Sequence, residues 1–128
     1  MAVSVTNSSM TDFNTITTLT VNAATAEGAN GTEAFTFTPT RADHRCILIM
    51  DNQATDQGTV TYSIAAGGFP QAGAALTGSV AQGVLRAIVL DAKYKSASGT
   101  YVITFTPATG KILLTNHAFR CYCLELPF

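Results

Sequence analysis

A chain of 128 residues has the length of one domain and is too short to be divided between two independent cores. Charged residues make up 12% of it, and the net charge of −1, with Lys93 and Lys95 as the only tight basic pair, excludes an electrostatic footprint for nucleic acid. The longest apolar runs, at Cys46 to Met50 and Ala87 to Leu90, fall far below the ~20 residues a membrane-spanning helix needs.

In chain order, residues 1–11 are polar and irregular and read as a flexible arm, ordered by a neighbour and dispensable for folding, that precedes a single domain over 12–128. They carry neither a positive n-region nor an apolar h-region, so no secretory signal is indicated and synthesis in a cytoplasm is expected. Between Asp12 and Ala26, Phe13, Ile16, Leu19 and Val21 sit among threonines, predicting one or two strands with a break near Thr17. Residues 27–32 make a turn. Phe35 and Phe37 then alternate with Thr36 and Thr38 up to Pro39, which places both rings on one face of a strand.

Cys46 to Met50 is apolar at every position, as in a central strand covered on both sides or one whose outer face meets a partner. Val60, Tyr62 and Ile64 alternate with polar residues in the clearest half-buried strand of the chain. A loop containing Gly67, Gly68, Pro70 and Gly73 follows, then strands at 75–81 and 84–90. Tyr101, Ile103 and Phe105 form another alternating strand closed by Pro107, and a turn at 108–110 leads toward a hairpin partner at 111–114. The last strand covers 119–126. Eight or nine short strands separated by Gly, Asn, Asp and Pro turns, with no helix of three turns, predict an all-β antiparallel sandwich, with jelly-roll and immunoglobulin-like topologies both open.

An average soluble protein is roughly 25% charged. Here 20 Thr and 19 Ala take much of the surface that charges would occupy. Such a surface costs little to desolvate and suits a protein held against another protein. The candidate contact residues are Thr6 and Asn7 in the polar start, Phe69 beside Pro70 in the glycine-rich loop, and the terminal Phe128. A loop aromatic buries a large area at low entropic cost, although Phe69 could equally fold back as a lid on the sandwich.

Cys46, Cys121 and Cys123 are the three cysteines, the last two on one face of a strand. Together with His44 they offer a sulfur and nitrogen ligand set of the kind zinc takes, but one intervening residue in a straight strand is not the knuckle spacing of structural zinc sites. Free buried thiols are the ordinary reading of an odd count without a secretion signal, so neither a metal nor another cofactor is expected. Eight scattered acidic residues, two histidines on distant segments and no phosphate-binding glycine loop supply no catalytic constellation.

The soft polar start, the Thr and Ala richness, and the run from Thr59 to Phe69 leading to Ala87-Ile88-Val89-Leu90 resemble the decoration, or cement, proteins of tailed-bacteriophage capsids. The resemblance is one of overall character across residues 12–126. It implies a virion protein bound at two-fold or three-fold positions of an icosahedral shell, a partner in the major capsid protein or another virion protein, and a trimer or dimer with no catalytic residues. A tail or baseplate component of similar build fits the same features, and a carbohydrate-binding module is disfavoured by the absence of Trp.

Overall fold

The computed structural model describes residues 2–26, 28–41, 45–53, 58–67, 73–113 and 118–127. The predicted all-β sandwich is present, and among the described residues ten strands divide between two sheets. Sheet one runs in the order β1 (Ala2–Ser4), β4 (Glu33–Phe37), β9 (Tyr101–Thr106), β6 (Val60–Ile64) and β7 (Leu76–Val80). Sheet two runs β2 (Asn7–Ser9), β10 (Arg120–Glu125), β5 (Cys46–Asn52) and β8 (Val84–Val89), with β3 (Asn22–Ala23) paired to Arg120 and Cys121 of β10. Pairing is antiparallel except where β1 joins β4 and β2 joins β10 in parallel.

The strands called from alternation form where the alternation stood. In β4, β9 and β10 every second side chain is buried. The inner faces meet in an aromatic core, with Phe35 edge-on to Phe105 at 5.3 Å and Phe119 tilted over Phe105 at 4.5 Å. Phe37 stacks on Tyr101, its partner across the ladder, at 5.1 Å. Offset and edge-on ring pairs add about 0.5–1.5 kcal/mol each beyond the area they bury.

Two expectations about the first third of the chain are corrected. Residues 2–9 are not an irregular lead-in: β1 lies on the edge of sheet one and β2 on sheet two, so the chain steps between sheets at Val5 and Thr6. Val3 and Val5 pack against the core, and Val5 N–H donates to the Thr36 carbonyl at 2.8 Å. Polar composition hid these strands because parallel edge pairing is made by the backbone and asks little of side chains. Conversely, residues 12–21 contain no strand, and Phe13, Ile16 and Val21 are exposed. The anticipated partner strand after Gly110 does not start at Lys111 or Ile112, and 114–117 lie outside the described residues.

Each sheet is tied to its neighbouring loop by one buried glutamate. Glu33, on β4, accepts from the N–H groups of Thr25 and Ala26 and from the Thr25 hydroxyl. Glu125, on β10, accepts from the N–H groups of Thr40 and Arg41 and from the hydroxyls of Thr40 and Ser9. The Arg41 guanidinium continues this network to the carbonyls of Met10 and Leu126. Two glycines answer to space and backbone angle. A Cβ on Gly67 would lie 2.1 Å from the Lys93 carbonyl oxygen, and Gly83, at φ +79°, allows the tight turn that passes the chain from β7 to β8 and thus from one sheet to the other.

Candidate functional site

The register fixes which residues share each outer face. On sheet one, Ala34, Thr104, Ser63 and Thr77 form one cross-strand row, and Thr106, Thr61 and Ser79 form another. These are hydroxyls and small side chains that water solvates well.

On sheet two, two of the three rows are apolar. Leu124, Ile47 and Val89 align across β10, β5 and β8, and beside them lie Tyr122, Ile49 and Ala87. A third row is Arg120, Asp51 and Leu85. Leu85 is 54% exposed and Val89 49%, while Ile47, Ile49, Tyr122 and Leu124 are half-buried. The apolar run at Cys46 to Met50 therefore has Cys46, Leu48 and Met50 in the core and turns Ile47 and Ile49 outward. Large contiguous apolar patches are uncommon on the surface of small monomeric domains. Phe13, 66% exposed, and Ile16, fully exposed, lie in the segment between β2 and β3, both of which pair with β10.

Of the contact residues expected from sequence, Thr6 and Asn7 are among the described residues. Thr6 N–H donates to the Asn22 amide oxygen at 2.8 Å, and the Asn7 side-chain amide donates to the Thr38 carbonyl at 2.8 Å. Both bonds help to hold the crossing between the sheets, and the Thr6 side chain itself is exposed. Phe69 and Phe128 lie outside the described residues, as do His44 and His117. The exposure of Phe13, Leu85 and Val89 is not legible in the sequence, because apolar residues in a Thr-rich or alternating run read first as core.

The three cysteines are buried on the inner face of sheet two and are not linked. Cys46 and Cys123 lie on adjacent strands with their sulfurs 2.9 Å apart. The hydrogen bond with Cys46, followed by burial, raises the Cys123 thiol well above its ordinary pKa, and burial, with a smaller contribution from Asp51, raises that of Cys121. Neutral thiols are poor nucleophiles and poor metal ligands. Among the described residues no group of three His, Cys, Asp or Glu side chains is placed to hold a metal. A seam between the sheets lined by Phe37, Cys46, Leu48, Ile88, Leu90 and Tyr101 has no room for a water molecule.

Comparison with family models, with curated proteins and with solved structures finds no match to this chain.

Proposed function

We propose that this protein is a non-enzymatic structural component of a virion, a decoration protein that binds between major capsid subunits and stabilises the shell. The observation that carries the reading is the apolar outer face of sheet two, set on a chain with 12% charged residues. Burying such a face is favourable by roughly 25 cal/mol per Å², and few charges need to be stripped of water to do so. Symmetry repeats the contact over a shell, so modest affinity per copy suffices.

The test is co-sedimentation of the purified protein with capsids built from the major capsid protein of the same genome. Binding that is lost in Leu124→Glu and weakened in Tyr122→Ala, with both variants folded, supports the reading. Absence of binding to the capsid, with binding to isolated tails or baseplates instead, would replace it with the tail reading.

A further inference from the structure

Among the described residues β8 has a neighbour on one side only: β5 pairs with it, and no strand lies beyond it. The direction of its unpaired backbone groups follows from the ladder. Leu126 N–H donates to the Arg45 carbonyl at 2.7 Å, in register with the pairing of β10 and β5. That bond sets the phase of β5. Ile47, Ile49 and Asp51 exchange hydrogen bonds with β10, and Leu48 and Met50 exchange them with Ile88 and Arg86 of β8, while at the start of β8 the Asn52 carbonyl accepts from the Gly83 N–H at 2.7 Å. Leu85, Ala87 and Val89 consequently turn their N–H and C=O groups to the open side, the same residues whose side chains stand on the apolar outer face.

Soluble proteins usually blunt such an edge with Pro, Lys, a bulge or a covering loop. The stretch Val84-Leu85-Arg86-Ala87-Ile88-Val89 carries one charge, Arg86, and no Pro or Gly. We infer that the open edge of β8 pairs antiparallel with β8 of a second copy about a two-fold axis at Ala87, joining the two second sheets into one continuous sheet. The inference rests on the assembly reading above and names a partner for it.

Self-complementarity selects both the partner and the register. With Ala87 opposite Ala87 of the second copy, Leu85 falls opposite Val89 and Val89 opposite Leu85, and all three outward-facing residues find bonding partners. Arg86 falls opposite Ile88. A shift to the alternative centred on Arg86 would set the two guanidinium groups directly opposite each other, which is destabilising. The net charge of −1 leaves little long-range repulsion between copies. The product is a doubled apolar face, since the Leu85, Ala87 and Val89 side chains of both copies lie on the same side.

Sedimentation equilibrium of the full chain at micromolar concentration and above tests the inference, with Ala87→Lys as the disrupting variant and Ala87→Cys as the register probe. Opposite residues in a bonded antiparallel pair have Cα atoms ~5.5 Å apart, within the range a disulfide spans. The expected result is a dimer for the native chain and a monomer of unchanged circular dichroism for Ala87→Lys. In Ala87→Cys, oxidised glutathione should convert two thiols into one intermolecular disulfide, releasing two reduced glutathiones, whereas Leu85→Cys should link far less. A native monomer, an oligomer of another order, a dimer that survives Ala87→Lys, or linkage stronger through Leu85→Cys than through Ala87→Cys overturns the proposal. Capsid binding scored separately with Leu124→Glu, two strands from the edge, distinguishes failure of the pairing from failure of the assembly reading.

Discussion

The two sheets share one interior logic and differ on the outside. Each contributes alternate apolar side chains to the core and each uses a buried glutamate to hold a loop, Glu33 on sheet one and Glu125 on sheet two. Outward, sheet one shows Thr104, Ser63, Thr61 and Ser79, while sheet two shows Ile47, Ile49, Leu85 and Val89. The core needs only one face of each sheet, so the chemistry of the second face is free to reflect what lies against it. Hydroxyls suit water, and a run of aliphatic side chains suits another protein.

The largest expected effect breaks both sheets together. Deleting residues 1–10 removes β1 from one sheet and β2 from the other, uncovers core contacts made by Val3 and Val5, and takes Ser9 away from Glu125. The lost burial and pairing are on the order of 5 kcal/mol, comparable with the whole stability of a small domain. Loss of the cooperative thermal transition is expected. A truncated chain that melts within a few degrees of the full-length protein would restore the dispensable arm.

Next in size is Glu125→Ala, which strips the N–H groups of Thr40 and Arg41 of their acceptor in a buried site. Removing one partner from such a network costs about 3–5 kcal/mol. Glu33→Ala, with its partners confined to Thr25 and Ala26, should cost less, about 2–3 kcal/mol. Urea denaturation of the two variants compares the sheets directly. Equal losses would show that the longer-range network of Glu125 adds nothing over a local loop clasp.

How much of this was legible in the sequence depends on what formed each element. Phe35 with Phe37, Val60 with Ile64, and Tyr101 with Phe105 announced their strands because one-sided burial writes a period of two into the chain. β1 and β2 left no such mark, being edge strands joined mainly through backbone. Phe13 and Ile16 gave the opposite error: their spacing among threonines looked like a strand, but nothing in a local pattern says whether a core lies within reach. The apolar outer face was visible only as an unbroken run at Cys46 to Met50, with two readings open. The register with β8 and β10 separated them by showing which residues turn outward. The roles of the glutamates are not readable in the sequence, because their partners lie 7 to 116 residues away.

A smaller effect is confined to sheet two, which alone carries the thiols. Cys121 and Cys123 ionise with more difficulty in the folded chain than in the unfolded one, whose thiols titrate near the ordinary value of 9.0. Above that value the unfolded state loses protons that the folded state keeps, so stability is complete below pH 9 and falls as pH rises beyond it. The slope is up to about 1.4 kcal/mol per pH unit per thiol. Urea midpoints measured from pH 7 to pH 10 should fall over the last unit, and Cys121→Ala should flatten the fall. A midpoint independent of pH in this range would show that the buried thiols are as easily ionised as free ones.

The smallest effect on stability is the sharpest test of the contrast between the faces. Leu85→Thr on sheet two and Thr104→Val on sheet one exchange the character of the two outer surfaces at one position each. The Leu85 side chain is half in water already, and Thr104 sits among Ala34 and Ser63 on an outer row, so each change should move the urea midpoint by less than about 0.5 kcal/mol. Their effects on association should differ. Leu85→Thr removes apolar area from the patch and should weaken binding to capsids several-fold, whereas Thr104→Val should leave binding unchanged. If both variants bind as the native chain does, the aliphatic rows of sheet two are an exposed surface without a partner. If Thr104→Val alone impairs binding, the contact face is the hydroxyl-rich one, and scarce charge rather than apolar area is what suits this domain to its neighbours.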